Sequence, residues 1–113
     1  MKTLAQIRAQ NALKCIGQEY KGQVGGDVVN KIPSMIQNNG LMAALAFCFA
    51  KGGGHEKVTN LIAEHLSDES IGIVRAGNTE ELIEELANGD ATLLRRATAE
   101  AIAFLNYVKR FAK

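Results

Sequence analysis

The chain has 113 residues, of which 47% are hydrophobic and 22% charged, and thirteen Lys and Arg against twelve Asp and Glu leave a formal net charge of +1. That length is one ordinary domain, 1–113, large enough to bury a core without staples, and a charge so near zero predicts no partner by itself. Ala and Leu abound and apolar residues recur at spacings of three and four, so the expected fold class is all-α, a compact bundle of about five to six helices.

Thr3 to Tyr20 has Leu4, Ile7, Leu13, Ile16 and Tyr20 at helical spacing, with Thr3 as N-cap and Arg8, Gln10, Lys14 and Gln18 on the wet side. Met1 to Ala12 lacks the continuous apolar region of a signal peptide, which predicts a cytoplasmic protein. Gly22, Gly25 and Gly26 break this helix, and Asp27 caps a second one carrying Val28, Val29, Ile32, Met35 and Ile36. Pro33, the only proline, either opens a helical turn or kinks one. Asn38, Asn39 and Gly40 read as a helix C-cap and a chain reversal.

From Leu41 to Ala50 every residue is apolar. Four alanines and no β-branched residue favour a helix over a strand, and such a helix is expected to be buried on all sides as the centre of the core. Ten residues of helix rise about 15 Å, too short to span a membrane. Lys51-Gly52-Gly53-Gly54-His55 reads as a flexible joint; it lacks the GxxxxGK[ST] pattern of a phosphate loop. His55 to Leu66 is a further helix with Val58, Leu61, Ile62 and Leu66 inward, and His65 beside them reads as a packed histidine rather than a ligand or base. Residues 67–77 read as irregular. Asn78 and Glu81 have capping-box spacing for a short helix ended by Gly89. Asp90 then caps the longest helix, Ala91 to Ala112, with Leu93, Ala97, Ala101, Phe104, Leu105, Val108 and Phe111 on one side. Arg95, Arg96, Asn106, Lys109, Arg110 and Lys113 lie on the other, with Glu100 at the edge of the apolar side. The two basic clusters stand about 14 residues, or roughly 21 Å, apart.

Cys15 and Cys48 have apolar neighbours and no CxxC spacing, so they read as buried thiols, and no metal or cofactor site is expected. Charge is unevenly distributed along the chain: residues 56–90 carry nine acidic side chains against two basic ones, and the remainder eleven basic against three acidic. Such asymmetry suggests a nucleic-acid surface or head-to-tail association of copies, unless folding interleaves the two sets.

Two stretches together resemble a known family. Pro33-Ser34-Met35-Ile36 is followed by Gly40-Leu41 and Ala44-Leu45-Ala46-Phe47; later come Thr98, Glu100 and the ending Lys109-Arg110-Phe111-Ala112. In order and at this separation they resemble the small helical subunit of the Cmr complex, the type III-B CRISPR effector that targets RNA. Leu94 and Tyr107 stand where family members commonly carry an aromatic and a Trp. The resemblance implies a non-catalytic subunit present in several copies, stacked along the effector's backbone subunits where guide RNA meets target RNA, while another subunit cuts the target. Its implied partners are other Cmr subunits, further copies of itself, and guide and target RNA, with no membrane and no small-molecule substrate.

The residues themselves agree, because the basic face of the last helix lacks aromatics apart from Tyr107 at its edge and so suits phosphate contact. The candidate RNA-binding residues are Lys31, Lys51, Arg95, Arg96, Lys109 and Arg110; Pro33, Gly40, Leu41 and Phe47 are assigned to fold and packing. The alternatives are a helical protein-protein adaptor, the equivalent small subunit of a type III-A effector, a duplex-DNA reader, or a small hydrolase using His55 or His65 with nearby carboxylates.

Overall fold

The computed structural model describes residues 1–22 and 27–113. Its helices are α1 (Leu4–Ala12), α2 (Val28–Asn39), α3 (Leu41–Lys51), α4 (Gly53–Leu66), α5 (Thr79–Ala87) and α6 (Ala91–Phe111), with a 3-10 turn at Leu13–Cys15. Among the described residues there is no strand, only an isolated antiparallel bridge between Lys21 and Asp27, so the all-α expectation is borne out. No helix among them is long and apolar enough to cross a membrane.

The helix starts follow from the capping residues. Thr3 Oγ1 accepts the Gln6 amide at 3.2 Å while Gln6 Oε1 accepts the Thr3 amide at 2.8 Å, a reciprocal pair that satisfies two donors at the start of α1. Asp27, Asn78 and Asp90 each accept the amide three residues on. Glu81 departs from the expected box, since its carboxylate takes the Gly77 amide at 2.8 Å, one residue before the cap. Pro33 lies inside α2, which runs through it, and Gly40 at φ +89° closes that helix as foreseen.

The helix expected over Thr3 to Tyr20 ends early. Gly17 turns the chain at φ +74°, and the backbone beyond pairs with the far end of the molecule. Gly17 N donates to Phe111 O at 3.0 Å and Lys113 N to Gln18 O at 2.8 Å. These long-range bonds stand in for helical ones, and Leu4, Leu13 and Ile16 are left exposed rather than packed. Gly25 and Gly26, expected to break the chain here, lie outside the described residues.

Ile32, Ile36, Leu41, Leu45, Ile62, Leu66, Phe104 and Leu105 form the centre of the core. Cys15 and Cys48 are buried, unbonded thiols, and burial pushes Cys48 up to about 11. α3 packs on α2, α4 and α5, whereas α6 packs on α1, α2 and α4.

Two expectations about the middle of the chain are corrected. α3 is a helix but is not buried on all sides: Leu41, Ala44, Leu45 and Cys48 face the core, while Ala43, Ala46, Phe47, Phe49 and Ala50 face outward. A domain this small has no second layer to cover the outer side of a helix. Phe47, assigned to packing from the sequence, is 43% exposed, and Phe49 is 41% exposed. Nor is Lys51 to His55 a flexible joint. Only Gly52 separates α3 from α4, at φ +66°, and Gly54 is buried so closely that a Cβ there would lie 2.3 Å from Lys21 O.

Residues 67–77 are irregular, as expected, yet firmly anchored. The amides of Ile73 and Val74 reach Leu66 O at 3.1 and 3.2 Å, and the Ser67 hydroxyl bonds both the amide and the carbonyl of Ala76.

Candidate nucleic-acid interface

α6 carries four of the six candidate residues. Ala97, Ala101, Phe104, Leu105 and Val108 point into the core, so helical geometry turns Arg95, Arg96, Lys109 and Arg110, together with Asn106, to the exterior, where all five are exposed. Glu100, the one acidic residue of this helix, is buried. Arg8 of α1 grips it with two bonds, Nε to Oε2 at 2.7 Å and Nη2 to Oε1 at 2.8 Å. The exterior of α6 therefore carries positive charge that its own carboxylate does not offset.

Glu100 is also bonded to His65 Nε2 at 2.9 Å. The His65 ring stacks on Phe104 at 4.2 Å and 7°, and Asn11 Nδ2 donates to its Nδ1 at 2.9 Å and to Asp68 Oδ2 at 3.0 Å. An Nδ1 that accepts places the ring proton on Nε2, where it is donated to Glu100. Burial lowers the His65 pKa against the opposing pull of Glu100, so the ring is neutral near pH 7. Burial pushes the Glu100 carboxyl up, but the bonds from Arg8 and His65 outweigh it and hold the group below its ordinary value. The Ser70 amide, then Asn11, pull Asp68 down.

His65 is thus the packed histidine that its position predicts. Its polar partners were missed because they lie 35 and 54 residues away in sequence. Arg8 and Glu100, 92 residues apart, left one signal only: a lone carboxylate beside an apolar stripe needs a partner.

Lys31 and Lys51 lie elsewhere, Lys31 on α2 and Lys51 at the end of α3, by the corner with α4. Lys51 Nζ sits 5.5 Å from the centroid of the Phe47 ring, and His55 meets that ring edge-on at 5.7 Å and 75°. Burial lowers the His55 pKa, and Lys51 and Lys31 lower it further, so both ammoniums act on this ring. His55 Nδ1 is enclosed without a hydrogen-bond partner. The six candidates therefore divide into a set of four along α6, with Lys31 on α2 and Lys51 at the end of α3.

Among the described residues Lys31, Arg95, Arg96, Lys109 and Arg110 take part in no ion pair. Several carboxylates of the acidic segment are held by neighbouring groups. Glu81 and Glu85 accept the amides of Gly77 and Arg75, Asp90 caps α6, and exposed Glu64 meets Lys14 at 3.4 Å. Folding does not interleave it with the bases of α6. A groove of about 380 Å³ between α1 and α6, lined by Arg8, Ala103, Asn106, Tyr107 and Arg110, adds Arg8 to the surroundings of that face, although Glu100 already balances its charge. Among the described residues no group of three His, Cys, Asp or Glu side chains is placed to hold a metal ion.

Fold and surface together define a class: a small all-α protein whose longest helix hides its carboxylate and displays its bases. Residues 4–113 match the family described as CRISPR-associated protein (Cas_Cmr5). The chain is 29% identical over 117 aligned positions, covering 100% of it and 96% of the relative, to the CRISPR system Cmr subunit Cmr5 of Thermus thermophilus. It superposes with a TM-score of 0.76 and 28% identity on the crystal structure of a CRISPR-associated Cmr5 family protein from Thermus thermophilus, covering 97% of this chain and 95% of that one. The chain belongs to the CRISPR-associated Cmr5 family, and the resemblance carried by Pro33 to Phe47 and Thr98 to Ala112 is borne out.

Proposed function

We propose that the chain is a non-catalytic small subunit of a type III-B Cmr ribonucleoprotein effector, assembled in several copies along its backbone and following guide and target RNA phosphates in antiviral defence. Its partners in this reading are the other Cmr subunits, further copies of itself and the two RNAs. The reading starts from family membership, and one observation carries its finer part: Arg95, Arg96, Lys109 and Arg110 are exposed along α6 while Glu100 is withdrawn into the bond with Arg8. Guanidinium and ammonium groups without a competing carboxylate bind phosphate oxygens and position a strand without reading it. Sequence then comes from the guide, and cleavage from another subunit. The acidic segment 56–90 supplies a surface of opposite charge for a neighbouring copy.

The test is ultraviolet crosslinking in the assembled effector, with peptides mapped by mass spectrometry. RNA adducts on α6 that disappear in a Lys109→Ala/Arg110→Ala variant support the reading. Adducts confined to other subunits, with α6 crosslinked only to protein, overturn the phosphate-following role and leave the helical adaptor.

A further inference from the structure

The groove between α1 and α6 is not explained by a row of phosphate contacts along one helix. We infer that it is a pocket for one unpaired nucleobase of the RNA strand, with Arg110 at its rim taking the adjoining phosphate. The inference rests on the RNA-binding reading and adds to it a contact with a nucleobase.

One side of α6 and one residue of α1 build the groove. Ala103 and Tyr107 stand four residues apart, as do Asn106 and Arg110, so the two pairs run side by side along the helix. Ala103 is small and leaves open the space of about 380 Å³ that Arg8 closes from α1. Clefts of about 300 Å³ and upward are the size that takes a small ligand. Phe111 lies against the Tyr107 ring at 6.4 Å and 57° and backs it from one side. The Arg8 pKa is raised chiefly by the bond to Glu100 and in lesser part by Tyr107, so phenol and guanidinium are close neighbours.

The polar lining has bonding capacity to spare. Among the described residues the Asn106 amide, the Tyr107 hydroxyl and the Arg110 guanidinium have no hydrogen-bond partner. Arg8 gives Nε and Nη2 to Glu100 and keeps further N–H donors. The Glu100 carboxylate, which would repel a phosphate, has both oxygens held by Arg8 and one of them by His65 as well.

A nucleobase matches these groups one by one. It brings a flat π face to the Tyr107 ring and an edge with donors and acceptors to the Asn106 amide. Its neutral carbonyl suits Arg8, whose charge Glu100 already balances. An acidic side chain of a protein partner would satisfy Arg110 but offers only acceptors, leaving the Asn106 carbonyl set against it. Arg110 belongs both to the groove and to the exposed row on α6, so a strand that follows the row passes the mouth of the groove.

The experiment measures binding of the full chain, at low salt, to two fluorescent probes of equal length and charge, an oligouridylate and an abasic ribose-phosphate oligomer. Tyr107→Leu keeps an apolar side chain against Phe111 and removes the aromatic face. The expected result is a loss of about fivefold or more in affinity for oligouridylate, with the abasic oligomer bound as before. Asn106→Ala, at an exposed position, repeats the selective loss in smaller measure, and it decides the matter if Tyr107→Leu fails to fold by circular dichroism. Equal weakening of both probes, or none, overturns the pocket. An unmodified chain that binds the two probes equally overturns it too and leaves the phosphate reading intact. One that binds neither overturns the pocket, and crosslinking in the assembled effector then decides the phosphate reading alone. Loss of association with Cmr subunits at unchanged oligouridylate affinity also overturns it and makes the groove a protein-docking surface. Arg95→Ala/Arg96→Ala, outside the groove, separates the two readings: it weakens both probes alike if α6 follows phosphates. If it has no effect while Tyr107→Leu weakens oligouridylate alone, the α6 reading fails and the pocket stands.

Discussion

Glu100 holds Arg8 with both oxygens and His65 with one, so alanine in its place leaves a half-buried guanidinium and a buried ring N–H without acceptors. Stranding a paired charge costs more than the pair contributes. Glu100→Ala is expected to destabilise the fold by about 3 kcal/mol in urea titration. Lys14→Ala, which removes an exposed pair with Glu64, is expected to change stability by less than about 0.5 kcal/mol. The same cluster sets an acid response. His65 is held neutral below its ordinary value of 6.5, chiefly by burial. As pH falls from about 6.5 the unfolded chain takes up a proton that folded His65 refuses, so stability declines until the folded pKa is passed. Glu100 and Asp68, held low in the folded state, add a second loss only at more acid pH, as it falls through their lowered values. His65→Gln should flatten part of the upper slope in thermal melts. The remainder belongs to His55, whose pKa is lowered by burial and by Lys51 and Lys31.

At the scale of elements, the α3–α4 corner depends on glycine for two different reasons. Gly54 has no room for a Cβ against the Lys21 backbone, and Gly54→Ala is expected to cost about 2 kcal/mol or more, with Lys21 and its neighbours forced aside. Gly52 has space but stands at φ +66° and ψ −157°, a region essentially confined to glycine, so Gly52→Ala costs about 1–3 kcal/mol of backbone strain. Chemical denaturation of the two variants checks both costs. The helices themselves were legible, because their caps and apolar spacing are local: Asp27, Asn78 and Asp90 stand where the chain turns helical. What tertiary contacts decide was not legible. An unbroken apolar run reads alike whether a helix is enclosed or leaves Phe47 outside, and Gly17 marks a break in the first helix without showing that its amide would bond to Phe111. For the candidate surface, the sequence placed the α6 bases on one face through periodicity, but it had no means to bring Phe47 and Lys51 of α3 together with His55 of α4.

Across the whole molecule, buried polarity and exposed charge are separate systems, and that separation is testable. The Arg8–Glu100–His65–Asn11–Asp68 chain ties α1, α4, α6 and the segment after α4 together from within. None of the α6 bases takes part in it. Among the described residues the Arg95 side chain hydrogen-bonds only Thr92, at 3.3 Å, and it stands beyond the first turn, where the helix dipole has weakened. Lys109 and Arg110 sit in the last turn, where each has a modest favourable effect of about 0.3–1 kcal/mol. Replacing Arg95 and Arg96 by alanine should therefore leave the melting transition nearly unchanged, and replacing Lys109 and Arg110 should lower it slightly. If all four touch phosphates, each loss should make log K less steep against log salt by about 0.7 for a single strand or 0.9 for a duplex. Binding of RNA to the assembled effector, measured over a salt series, reads this slope directly. Four additive decrements at near-constant fold stability would assign the whole α6 face to RNA. A slope that stays constant while affinity falls would mean these bases meet a protein partner, and the charge displayed by α6 would then serve assembly.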